Sequence, residues 1–241
     1  MSKERYIRIN KFLSEKGSYS RRGIDKLIKE KRITVNGIII KPGIKVSYSD
    51  EIKIDGELSH NPKKKKKEVY LIFNKPPGVE CTTNQKIKNN IIDFIGYPKR
   101  IFPIGRLDKD SEGLIFLTND GNIVNKILRS ENNNEKEYIV QVNRKINSDF
   151  ISKMSNGVKL KNIRTKPCKI KKINNYTFKI ILTQGLNRQI RKMCNFFDYK
   201  VKSLIRTRII NIQLGNLRSG KFRKFSKNEI RILNEHLKKS E

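Results

Sequence analysis

From Ser59 to Glu68 the chain reads SHNPKKKKKE, and no fold can bury that stretch. Five consecutive lysines repel one another, and no apolar residue interrupts them before Glu68, so the segment is read as a linker over 59–68. The run itself leaves open whether it trails along phosphates or serves only as a solvated tether. Either way it divides the 241 residues into a short segment, 1–58, and a long one, 69–241, each of which must bury its own core.

In the short segment Ile9, Phe12 and Leu13 fall at helical spacing. Ser20 is placed to cap a second helix, on which Ile24, Leu27 and Ile28 share one face. RITVNGIIIKPG then sets Asn36 and Gly37 between β-branched runs, the strongest short signal for a hairpin, and EIKIDG alternates as a further strand. In the long segment VYLIFNKP, LIFLT, EYIVQV and YTFKIILT predict strands, while NIVNKILR and NRQIRKMCNFF predict amphipathic helices. Strands dominate without a regular βαβ alternation. That pattern predicts an α+β domain around a mixed, largely antiparallel sheet. Neither a Rossmann nor a P-loop glycine pattern occurs.

Charge narrows the partners. Lys and Arg number 55 against 23 Asp and Glu, an excess spread along the whole chain that suits a polyanion, nucleic acid first. A membrane surface would also attract it, but no apolar run approaches the ~20 residues of a spanning helix. The opening MSKERYIRIN lacks the apolar core of a secretory signal, so a cytoplasmic protein is expected. Cys81, Cys168 and Cys194 lie far apart without metal-ligand spacing, and His60 and His236 are isolated. Neither a disulfide framework, a metal site nor a histidine dyad is expected.

One stretch concentrates charge of both signs. GRLDKDSEGL, at 105–114, sets Asp108 between Arg106 and Lys109, just before an apolar strand. Such residues are commonly solvated turn residues. A carboxylate flanked by cations is stabilised in its ionised form, which disfavours a general acid and suits a nucleophile or a group that must stay charged in an RNA-filled site. Arg188 and Arg191, three residues apart on a predicted helix, and Tyr138 on a predicted strand are possible neighbours. Sequence spacing alone does not bring them together.

Two resemblances sharpen this. The order of two helices and a hairpin, with SRRGIDKLIKEKRITVNG across the second helix and turn, resembles the αL RNA-binding domain first known from ribosomal protein S-four. That resemblance implies an RNA-facing set at Lys11, Arg21, Arg22 and Lys26. GRLDKDSEGL resembles the signature loop of the pseudouridine synthases, in the branch of the RsuA-type ribosomal RNA enzymes. LIFNKPPGV, KEYIV and LTQGLNRQIRKM resemble that family's other three motifs, in family order. This second resemblance implies a reaction in which uracil is detached from its ribose, turned and rejoined through carbon, with Asp108 as the essential aspartate. Attack on the sugar, attack on the base and proton abstraction from the sugar all stay open as its role. By the same resemblance Arg106 matches the arginine inserted where the target nucleotide flips out, Tyr138 the tyrosine packed on the flipped uracil, and Arg191 the arginine that pairs with the catalytic carboxylate. It also implies that Lys75 and Arg188 support the site or contact phosphate, that Leu107, Ile190 and Met193 pack locally, and that Asp110 and Glu112 structure the loop.

No metal or redox cofactor is implied. The implied partner is ribosomal RNA, with 23S rRNA or a pre-ribosomal particle favoured. 16S rRNA and a tRNA anticodon loop are the alternative substrates, and a noncatalytic ribosome-assembly factor is the alternative of another class. A monomer is the default. The closing segment is expected to end in a helix capped near Ser226, without the longer basic extension often found in relatives.

Overall fold

A computed structural model of the chain describes residues 6–16, 19–59, 67–128, 133–161 and 163–238. Two compact units emerge, Met1–Glu68 and Val69–Glu241. Most of the lysine linker lies outside the described residues.

In the first unit β1 (Ile7–Arg8) leads into α1 (Ile9–Lys16) and α2 (Arg21–Lys29). Ser20 caps α2, its Oγ accepting the Gly23 N–H at 3.0 Å. Ile9, Phe12 and Leu13 of α1 meet Ile24, Leu27 and Ile28 of α2 in one buried cluster. β2 (Ile33–Val35) turns into β3 (Ile38–Ile39) through Asn36 and Gly37, whose φ values of 50° and 81° are the left-handed pair of a type I′ turn. β4 (Lys45–Val46) pairs with β1, and β5 (Ile52–Ile54) pairs with β2. EIKIDG proves to be a strand and a turn: Asp55 and Gly56, also left-handed, return the chain into β6 (Glu57–Leu58).

The second unit begins with β7 (Tyr70–Lys75), α3 (Ile91–Ile95), β8 (Phe102–Ile104), β9 (Glu112–Thr118), α4 (Asn122–Leu128) and β10 (Lys136–Val142). It continues with α5 (Ser148–Ser155), β11 (Lys159–Leu160), β12 (Ile163–Arg164), β13 (Lys169–Lys172), β14 (Thr177–Leu182) and α6 (Gln189–Phe196). β15 (Val201–Ile209), β16 (Ile212–Gln213), β17 (Phe222–Lys224) and α7 (Lys227–Lys238) close it. The main sheet runs β13-β14-β10-β15-β9-β7-β17, with β8 beside β9 and β16 beside β15. β15 and β9 pair in parallel; the other pairs of this sheet are antiparallel.

β7 and β9 read as continuous apolar runs because both their faces are covered. Leu71, Phe73, Ile115 and Leu117 point into one cluster, and Ile72, Leu114 and Phe116 into another that takes in Ile123, Leu233 and Leu237 of the helices. Farther along the sheet Val140 and Phe178 pack with Phe150 of α5 and Met193 of α6. α7 starts in a reciprocal capping box. Ser226 Oγ accepts the Glu229 N–H at 3.1 Å, and Glu229 Oε2 accepts the Ser226 N–H at 2.8 Å. No described helix is long and apolar enough to cross a membrane.

Candidate active site

The GRLDKDSEGL stretch joins β8 to β9, and its main chain is held from below. Gly78 N–H donates to Lys109 O at 2.7 Å, Leu107 N–H to Cys81 Sγ at 3.3 Å, and Ser111 N–H to Asp108 O at 3.1 Å. The Leu107 side chain is buried. With these groups tied inward, Arg106 is exposed and makes no hydrogen bond or ion pair among the described residues. Asp108 is partly exposed, and its nearest cation is Arg188, with Nη1 to Oδ2 at 3.8 Å. A carboxylate without a hydrogen-bond donor on it retains its lone pairs for attack or for taking a proton.

Lys75 lies beneath this loop. Its ammonium is fully buried and donates to Pro76 O at 2.8 Å, Val79 O at 3.0 Å and Lys109 O at 3.3 Å. Burial pushes its pKa down, against the attraction of Cys81, Asp110, Asp108 and Glu112. In this arrangement the Lys75 ammonium is enclosed and occupied by three carbonyls, the supporting rather than the phosphate-facing position. The residue acts as a bolt between the 75–79 turn and the Asp108 loop.

The two arginines divide their work differently from the expectation. α6 begins at Gln189, so Arg188 stands in front of the first turn, at a left-handed φ of 51°. Its guanidinium forks onto Asp110, Nη1 to Oδ1 and Nη2 to Oδ2, both at 3.1 Å. Arg191, one turn deeper, reaches Asp110 O and Ser111 Oγ, each at 3.2 Å, and Asp110 Oδ2 at 3.4 Å. The expected pairing of Arg191 with Asp108 is thus corrected: its reach ends on Asp110 and Ser111, and Arg188 is the cation beside Asp108. The bidentate Arg188 contact holds the Asp110 carboxyl below the usual carboxylate range. Asp110 is the clamp that fixes the loop to α6.

Tyr138 sits at a register shift between β10 and β15, where a bulge re-aims side chains. Its ring packs against the cluster containing Leu107. On the neighbouring strand the Arg206 guanidinium lies 6.0 Å from that ring's centroid. Arg206 is 4% exposed, donates from Nε to Leu114 O at 2.6 Å, and leaves Nη2 without a partner. Sequence reasoning missed this residue, although in LIRTRI the period of two puts it on the inward face with Leu204. It missed Gly113 as well. A Cβ there would lie 2.6 Å from Arg206 N and closer still to its carbonyl oxygen, and φ is +111°. Only glycine admits the parallel β9–β15 pairing that sets Arg206 beneath Tyr138.

Burial pushes the Cys194 thiol up to about 12 and Cys168 to about 11, which leaves both as core groups. Among the described residues no cluster of three or more His, Cys, Asp or Glu could hold a metal ion. In the first unit Arg21, Arg22 and Lys26 lie on the exposed side of α2, and Lys11 of α1 pairs with Glu15 at 3.9 Å.

A loop carrying a carboxylate with no hydrogen bond and an unpaired arginine over a mixed sheet, in a chain that also holds a small basic helix–hairpin unit, fits a class of RNA-modifying enzyme. The chain belongs to the RNA pseudouridylate synthase family, whose model matches residues 69–196, and it carries an S4 domain over 7–52. It is 46% identical to the dual-specificity RNA pseudouridine synthase RluF of Escherichia coli K12 over 93% of this chain and 77% of that one. To the ribosomal large subunit pseudouridine synthase B of Bacillus subtilis it is 32% identical over 94% of this chain and 95% of that one. A crystal structure of a pseudouridylate synthase superposes with a TM-score of 0.69 at 28% identity, covering 94% of this chain and 99% of that one.

Proposed function

We propose that this enzyme converts a uridine of large-subunit, 23S ribosomal RNA to pseudouridine, with Asp108 as the reacting carboxylate. The observation that carries this is the division of labour in one loop: Asp110 is held by hydrogen bonds and ion pairs from two arginines, while the Asp108 carboxylate meets only the Arg188 guanidinium at 3.8 Å and Arg106 has no hydrogen-bond or ion-pair partner among the described residues. In the reaction the bond from ribose C1′ to uracil N1 breaks and one from C1′ to C5 forms. The C5 proton is lost and N1 gains one, so the formula is unchanged. A base inside folded RNA must first swing out, and the planar guanidinium of Arg106 can stack in the space it leaves. Tyr138 packs on the extruded base. Arg21, Arg22, Lys26 and Lys11 supply further contacts to structured RNA. The name of the Bacillus relative supports the large subunit as target, and the dual specificity in the name of the Escherichia relative supports testing a second RNA, for which 16S rRNA and a tRNA anticodon loop are the candidates.

The test incubates wild type and Asp108→Ala separately with protein-stripped 23S rRNA, 16S rRNA and tRNA, then maps pseudouridine by carbodiimide labelling and primer extension. The expected result is a new stop in 23S rRNA with wild type only. A stop that survives in Asp108→Ala overturns the role of the aspartate, and a stop confined to 16S rRNA or tRNA overturns the target.

A further inference from the structure

Along the outer side of α6 runs a groove of about 800 Å³, walled by that helix, by the hairpin of β11 and β12, and by the segment 199–201. Arg188, Arg191, Lys192 and Asn195 recur at helical spacing and form one wall. Lys159 and Lys161 on the hairpin and Lys200 add three more cations, none in an ion pair among the described residues. No carboxylate belongs to the lining. Yet the floor is apolar. At the end remote from Arg188 the Phe196 ring is 57% exposed, held edge-on against Phe197 at 5.1 Å between centroids. A duplex, read through its phosphates, has no use for an open aromatic face. A single strand does, because each unpaired base offers a π-face to stack.

One end of the groove lies beside the reacting loop, since Arg188, which lines it, stands 3.8 Å from Asp108. The eight residues of α6 span ~12 Å, about the rise of three stacked nucleotides at ~3.4 Å each. We propose that this groove seats the unpaired nucleotides next to the target uridine, one base stacked on Phe196 and the phosphates met by Lys161, Lys192 and Lys200. The inference rests on the reading of the Asp108 loop as the place where an RNA uridine reacts. It narrows the substrate to a uridine flanked by single-stranded RNA.

The test uses the full chain as wild type, Phe196→Ala, Phe196→Tyr and Lys161→Gln/Lys200→Gln. Each is titrated by fluorescence anisotropy with a single-stranded RNA of about 12 nucleotides and with a duplex of the same length. Phe196→Ala should weaken single-strand binding about tenfold and leave the duplex within about twofold, while Phe196→Tyr binds as wild type. The double lysine variant should flatten the slope of log affinity against log salt by about 1.4. Unchanged single-strand affinity in Phe196→Ala, or an equal loss on the duplex, overturns the proposal and assigns the groove to a partner other than single-stranded RNA. Pseudouridine formation in 23S rRNA is measured alongside. Wild type that forms none while the variants shift binding as stated overturns the proposed activity and supports the groove; activity with indifferent variants does the reverse.

Discussion

Asp108 and Asp110 are two residues apart and chemically alike, and the fold gives them opposite duties. Asp108→Asn should lower pseudouridine formation by at least ~10³-fold, since an amide can neither attack nor take a proton at neutral pH. Asp110→Asn should cost about tenfold, through a loosened Arg188 fork, with the remaining activity measurable in the same assay. Asp110 also carries a pH signature. Its folded pKa lies below the ordinary 3.8, so the stability it contributes is present above that value and is lost as pH falls through the folded one. Acid denaturation followed by circular dichroism should therefore begin at higher pH in Asp110→Asn than in wild type. The sequence placed both carboxylates in one motif. It did not say which carboxylate the arginines would take, because that depends on a guanidinium 78 positions away.

At the scale of elements, turns and caps were the most legible features. Ser20, Asn36-Gly37 and Ser226 act through partners within three residues, so their geometry is local chemistry. The strands β7 and β9 were equally plain as unbroken apolar runs, whereas their neighbours were not. Parallel pairing of β9 with β15 joins residues far apart in sequence and rests on Gly113. Gly113→Ala should cost about 3 kcal/mol or more in urea denaturation, or prevent soluble expression, because backbone meets backbone there and neither strand can yield. Lys75→Ala should destabilise by about 2 kcal/mol, since three carbonyls lose their donor, and should leave the salt dependence of RNA binding unchanged. A lysine at the end of a strand in a basic protein looks like a phosphate ligand until the loop above it is seen.

Over the whole molecule, a formal charge of +32 makes RNA affinity a function of salt. If about six phosphates are engaged, filter binding to 23S rRNA should weaken by ~10³-fold between about 50 and about 200 mM salt. Lys136 works against the fold. Buried in β10 near Arg206, it has its pKa pushed down to about 8 from 10.5. Between those two values the unfolded chain holds the proton that the folded chain has shed, so stability rises with pH across that window. Lys136→Met should be the more stable protein at pH 7, and its advantage in thermal melts should shrink as pH approaches 10.

By itself the sequence determined what neighbours along the chain decide: two helices and a hairpin before a lysine run, apolar strands after it, and a loop where Arg106 and Asp108 stand side by side. Those features come from periods of two and 3.6 and from turn chemistry, which act over a few residues. Only the tertiary structure decided that Arg188 faces Asp108, that Arg191 closes on Asp110 and Ser111, that Lys75 is sealed beneath the loop and that Arg206 lies under Tyr138. Each of these turns on a few ångströms between segments far apart in sequence, and at that range the charge of a residue no longer tells what it will touch.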